Sequence, residues 1–213
     1  MDRQVKEYGW KSADGPASCE YLSPAVLDVL RKLKVKRICD VGCGNARLTS
    51  HLYNAGYDVV GLDNDIGGIE IARRNYPHIP FYKLGVQDDP VETLAHEPFF
   101  EAVVSTEVVE HLFSPRSLPL FAHALLSRGG QLIISTPYHG YLKNLALSLI
   151  NKWDFHHTPL WEGGHIKFWS RNTLSRLLSD NGFIVQGFYG VGRVPFLWKS
   201  MIIVAKINPD WQG

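Results

Sequence analysis

Two periods of apolar and polar positions alternate along this chain. Compact apolar runs at 37–40, 58–63, 79–82, 100–106 and 129–137 are bounded by glycine, proline or acidic residues, which marks short buried strands. Between them, apolar residues recur every three or four positions. Val26, Leu27, Leu30 and Leu33 form one helical stripe, for which Ser23 is the expected N-cap and Pro24 the first helical residue. Leu48, Leu52 and Tyr53 form a second, stopped at Ala55 and Gly56. Ile69 to Tyr76, Ser117 to Leu126 and Ser170 to Leu178 complete the set, the first ended by Pro77 and the last by Asn181 and Gly182. Strand alternating with helix at this spacing predicts a parallel sheet with right-handed crossovers. The runs Phe183 to Tyr189 and Trp198 to Lys206 predict a closing antiparallel hairpin.

Two segments fall outside this rhythm. Residues 1–22 carry Tyr8, Trp10 and Tyr21 among polar residues with no clear period, and are expected to form an irregular arm. Residues 138–165 hold Tyr138, His139, Tyr141, Trp153, Phe155, His156, His157, Trp161 and His165, an aromatic and histidine-rich insertion beyond the fifth strand. Such an excursion at the ligand end of a sheet is where substrate is usually chosen. The whole chain, 1–213, reads as a single domain.

The first strand ends on Asp40 and runs into Gly42, Cys43 and Gly44 before a helical pattern begins, a sharp strand-to-helix turn with no side chains in the way of a ligand. A dinucleotide fold wants a third glycine three residues after the second, to open access to a pyrophosphate. Arg47 stands there instead. With Asp63 closing the second strand, the pattern resembles motif I of the class I S-adenosylmethionine-dependent methyltransferases. The resemblance implies an α/β, doubly wound, Rossmann-like, seven-stranded mixed sheet with S-adenosyl-L-methionine as cofactor. It further implies that Asp40, Gly42, Gly44 and Thr106 line the cofactor and that Asp63 holds the ribose hydroxyls. Gln87 or Asp88 would then bond the adenine amino group, unless 86–89 is simply a solvated acidic turn ahead of Pro90.

Composition narrows the partners. Net charge is +1, from 22 basic and 21 acidic residues, and no Lys/Arg cluster is visible, so nucleic acid is not an expected partner. Cys19, Cys39 and Cys43 are odd in number, and two lie in or beside the glycine loop, which fits reduced thiols in a cytoplasmic protein better than a disulfide scaffold. No run approaches the roughly 20 apolar residues of a membrane span. Oligomeric state is not legible.

Glu107, Glu110 and His111 follow the fourth strand at once. On a helix, positions i, i+3 and i+4 share a face, so two carboxylates beside an imidazole could hold a divalent cation that lowers the pKa of an acceptor oxygen. His165 is the expected fourth ligand, returning from the insertion, with magnesium, manganese or zinc as the candidate ions. The run resembles that of the ubiquinone-biosynthesis O-methyltransferases and of the metal-dependent RNA 2′-O-methyltransferases. Two other readings stand beside it: His111 as a metal-free general base, and Glu107 and Glu110 as acids favouring a helix N-terminus. Adjacent His156 and His157 are expected to diverge into a solvated loop. The expectation is methyl transfer to an oxygen of a small, partly apolar acceptor such as a phenolic quinone precursor. The alternatives are RNA 2′-O-methylation, a nicotinamide oxidoreductase and a non-catalytic cofactor-binding module.

Overall fold

A computed structural model describes residues 9–157, 159–161 and 163–212. Tyr8 and the rest of the first eight residues lie outside it. Seven strands form one sheet in the order β3-β2-β1-β4-β5-β7-β6. They are β1 (Arg37–Val41), β2 (Asp58–Asp63), β3 (Phe81–Lys83), β4 (Phe100–Thr106), β5 (Leu126–Pro137), β6 (Phe183–Val191) and β7 (Ser200–Ile207). The first five run parallel, and β7 pairs antiparallel with both β5 and β6. Strict alternation along the central strands divides the core between the two faces. Ala102 and Val104, Ile133, and Ile202 and Val204 face one layer with α1 (Cys19–Leu33), α2 (Arg47–Asn54) and α3 (Ile66–Asn75). Val103, Leu132 and Ile134, and Met201 and Ile203 face the other with α5 (Ser117–Leu125) and α8 (Arg171–Ser179).

Two local expectations are corrected. Helix α1 begins at Cys19, not after Ser23, and Pro24 lies inside it. Proline there forfeits only one amide, while Leu22, Val26 and Val29 bury one continuous stripe that carries the helix back past the presumed cap. The arm is correspondingly shorter than 1–22. Residues 86–89 form the solvated turn ahead of Pro90, with Gln87, Asp88 and Asp89 exposed, and lead into a short helix, α4 (Pro90–Thr93), whose N-cap Asp89 accepts a hydrogen bond from Val91 N at 2.8 Å. The run from Glu107 is not helical from its first residue. Glu107 has φ of +55°, and only Val109–His111 form a single 3-10 turn. The argument from an α-helical face and from a helix dipole therefore lapses for Glu107. A side-chain-bearing residue in this left-handed region costs about 1–2 kcal/mol and persists where surrounding contacts fix it.

The insertion folds into α6 (Tyr141–Leu149) and α7 (Trp153–His157). Its exit is tied down, since the amides of Ile166 and Lys167 both donate to the carbonyl of Glu110, at 2.9 and 3.0 Å. No helix among the described residues is long and apolar enough to cross a membrane.

Candidate active site

The C-terminal ends of β1, β2 and β4 open onto a cavity of about 340 Å³, the place where open α/β sheets take ligands. Gly42 has φ of +80°, and a Cβ on it would come 2.3 Å from Val108 Cγ2, so only glycine fits this turn. Gly44, at φ of +53°, lies against the Trp10 indole in the same way, with a hypothetical Cβ 2.4 Å from the ring. Asp63 closes the loop: its Oδ2 accepts from Gly44 N at 2.7 Å and its Oδ1 from Asp65 N at 2.8 Å. A carboxylate has about four acceptor positions, so capacity remains for two hydroxyls. Burial pushes the Asp63 carboxyl up, against the pull of those amides.

Asp40 is buried, with Oδ2 accepting from Thr49 Oγ1 at 2.6 Å and Oδ1 lacking a partner. Desolvation raises its carboxyl to about 7, the Thr49 bond lowering it and the Asp63 charge raising it further. Gln87 and Thr106 line the cavity. Asp88 is not among the lining residues; its Oδ2 accepts from Gly85 N at 2.8 Å and closes its own turn, which leaves Gln87 of the two expected residues beside the cavity.

Sequence reasoning missed Asn45, whose buried side chain donates from Nδ2 to the carbonyls of Ser12 and Asp14, each at 2.8 Å. This fastens the arm to the glycine loop and holds Trp10 over it. No local signal marks Asn45, because its partners are backbone carbonyls of a segment without period. The thiols of Cys39 and Cys43 are buried and pushed well up, and Cys19 is raised to about 11, mainly by desolvation. None of the three suits a nucleophile at neutral pH.

At the far end of the same cavity stand His111 and His165. Their ring centroids are 4.9 Å apart, and Trp161 packs edge-on to both. Nδ1 of His111 lies 2.9 Å from the Gly163 carbonyl and 3.2 Å from that of Gly164. A carbonyl can only accept, so Nδ1 carries the proton and the basic lone pair falls on Nε2. Glu110 is 1% exposed. Its Oε2 accepts from Thr136 Oγ1 at 2.9 Å, while Oε1 lacks a hydrogen-bond partner and lies 3.9 Å from His165 Nε2.

Glu110, His111 and His165 each offer one ligand atom within 4.8 Å of the others. Glu107 stands beside this trio rather than in it. Its Oε1 accepts from Ser135 Oγ at 2.9 Å and its Oε2 from Ser200 Oγ at 3.2 Å, and Ser200 in turn accepts from the Tyr21 hydroxyl, at 3.2 Å. Desolvation raises Glu107 to about 7, and desolvation together with the Glu107 charge raises Glu110 well above its ordinary value. Burial lowers His111, and lowers His165 to about 4, so both imidazoles are neutral at physiological pH. A buried carboxylate oxygen without a donor, beside two neutral imidazoles, is a donor set that fits a divalent cation.

Strand order, glycine loop and acid-closed second strand define a class I S-adenosylmethionine-dependent methyltransferase. Residues 17–186 match the family described as methyltransferase domain, and the chain belongs to that family. Mouse mitochondrial ubiquinone biosynthesis O-methyltransferase is 31% identical over 177 residues, covering 78% of this chain and 46% of the mouse protein. The enzyme of the same name from Ruegeria sp. is 30% identical over 175 residues, covering 78% of this chain and 67% of its own. The chain spans about half the length of the mammalian relatives it matches. Among solved structures, magnesium protoporphyrin IX methyltransferase from Synechocystis with bound S-adenosylhomocysteine superposes with a TM-score of 0.66 at 18% identity, over 88% of this chain and 82% of that one. The methyltransferase domain of a bacterial Hen1 gives 0.65 at 19% identity, over 87% and 97%. Both show a shared fold.

Proposed function

We propose that this chain transfers a methyl group from S-adenosylmethionine to an oxygen of a small, partly apolar acceptor, in the manner of a phenolic quinone precursor, with a divalent cation held by Glu110, His111 and His165. The supporting observation is that His111 and His165 line the same cavity as Gly42 and Asp63. In this reading the acceptor's activating groups stand at one end of the cofactor's bed. The names of the ubiquinone-biosynthesis relatives supply the acceptor class.

Methyl transfer is an in-line displacement, so the protein's work is to align the acceptor and raise its nucleophilicity. Nε2 of His111 is oriented by the Gly163 and Gly164 carbonyls and can either take the acceptor proton or serve as a ligand. A bound cation would supply Lewis acidity, lowering the pKa of a coordinated hydroxyl. Trp161 packs edge-on against both imidazoles at this end. The near-neutral charge disfavours RNA as acceptor.

The experiment is transfer of labelled methyl from S-adenosylmethionine to a panel of catechols with apolar ring substituents, and to RNA, with and without chelator. Product from catechols that is lost with chelator and restored by added metal supports the reading; product from RNA alone overturns it.

A further inference from the structure

The insertion assembles a second group of nitrogen ligands that the methyl-transfer site does not use. His139, His156 and His157 each bring one ring nitrogen within 4.8 Å of the others. The expectation that adjacent His156 and His157 diverge into solvent fails. Residues one apart on a helix point about 100° from each other, and on α7 these two converge on His139 from different sides. Ring centroids are 4.9 Å apart for His156 and His157, 5.4 Å for His139 and His157, and 6.1 Å for His139 and His156.

The three imidazoles are held by packing. Phe168 meets the rings of His139 and His157 edge-on at 5.1 and 5.0 Å, and Trp153 lies 4.1 Å from His157. His157 is 9% exposed, and its Nε2 is buried without a hydrogen-bond partner. An orphaned imidazole nitrogen in an aromatic shell costs free energy unless something satisfies it.

We propose that His139, His156 and His157 form a metal site separate from Glu110, His111 and His165, and that it takes zinc. Three imidazoles with no carboxylate match the nitrogen preference of zinc and exclude magnesium, which demands oxygen ligands. All three rings are neutral at physiological pH, because burial, and for each the nearby Lys143 charge, lowers them: His139 to about 3, His156 to about 4, and His157 in the same direction. No proton need leave before the metal binds.

Lys143 and Arg193 border the same cavity, of about 300 Å³, together with Glu107 and His165. Lys143 is buried and donates to the Lys199 carbonyl at 3.3 Å. These cations weaken binding of a bare ion and favour an anionic fourth ligand, so the open position of the site would take hydroxide or an acidic oxygen of a bound molecule. Such an ion would also cross-link His139, two residues beyond the end of β5, to α7, fixing the insertion.

The test uses the full chain, stripped with chelator and dialysed against zinc, with bound metal counted by elemental analysis. To silence the first site, His111→Ala/His165→Ala is the background. That protein should keep one zinc, and cobalt in its place should give the intense visible bands of a tetrahedral ion. Adding either His139→Ala or His156→Ala should weaken zinc by more than the roughly 10–100-fold that loss of an outer-shell partner costs. Circular dichroism of the metal-free variants checks that they fold, and His156→Gln gives a second, milder removal of one ligand. Absence of zinc from the His111→Ala/His165→Ala protein, or retention of it after His139→Ala and His156→Ala, overturns the proposal. So does phosphate binding that depends on Lys143 in a protein that takes no zinc, which would make the cavity an anion pocket.

Discussion

His165 holds its Nε2 3.9 Å from Oε1 of Glu110, although Glu110 lies just after β4 and His165 at the far end of the insertion beyond β5. That separation is close enough for one ion to bridge them after a small adjustment, given bonds near 2.0–2.2 Å. The expected outcome is that His165→Ala loses methyl transfer almost as fully as His111→Ala, and that chelator abolishes turnover while leaving S-adenosylhomocysteine binding intact. A metal-free base at His111 would instead leave His165→Ala mildly affected and chelator harmless. Turnover and calorimetric binding, measured on the same preparations, separate the two.

Asp63 does two jobs at once, accepting from the amides of Gly44 and Asp65 and offering its remaining lone pairs to the cavity. Asp63→Ala is expected to weaken S-adenosylhomocysteine by about 1.5–3 kcal/mol, the loss of charge-assisted hydrogen bonds. NAD should not bind either protein, because Arg47 stands where a pyrophosphate needs glycine. Calorimetric titration with both ligands checks this, and an unchanged dissociation constant would remove Asp63 from the cofactor site.

Glu107 gives a stability prediction with a definite sign. Its folded pKa is raised to about 7 from an ordinary 4.5, so between those values the folded protein keeps a proton that the unfolded chain has released. Stability from this group is therefore lost as pH rises across that window, by on the order of 3 kcal/mol once pH passes 7. Glu107→Gln removes the cost and keeps an acceptor for Ser135. In chelator, its melting temperature should exceed that of the parent by more at pH 8 than at pH 5. The depressed histidines affect both proteins alike and cancel in the difference. Equal differences at the two pH values would show that Glu107 is not held up by burial.

Asn45→Ala should release the arm from the glycine loop, since it deletes both bonds to the Ser12 and Asp14 carbonyls. About 1–3 kcal/mol of local stability is expected to go. Hydrogen exchange should quicken through residues 10–18 while the amides of β4 and β5 keep their protection. Uniform loss of protection would mean that Asn45 supports the whole fold.

Much of the sheet was legible because it rests on short-range signals. The run 58–63 and the run 100–106 coincide with β2 and β4 to the residue, their apolar stretches being bounded by turns and acids. Where tertiary contact overrides local preference, the pattern misleads. Ser23 and Pro24 look like a helix start, yet Leu22 and Ser23 are buried against the sheet and the helix runs through them. Glu107, Glu110 and His111 were visible as a spacing, but the left-handed turn at Glu107 was not, because nothing local asks a glutamate to adopt it. The convergence of His156 and His157 on His139 was hidden for a similar reason: it depends on how the short α7 docks, and no periodicity encodes that.

The two amides of Ile166 and Lys167 that close on the Glu110 carbonyl separate the position of His165 from whatever lies before it. The insertion leaves the sheet at Pro137, paired with Ser200 on β7, and returns at a clasp on the segment after β4, so both of its ends are fixed by the framework. The intervening chain can lengthen, shorten or be exchanged without shifting the histidine that follows it. In engineering terms, 140–160 is a replaceable cassette, with Trp161 kept against the two imidazoles: a different loop grafted between these anchors should redirect acceptor choice while the cofactor bed and the Glu110, His111 and His165 cluster stay where they are.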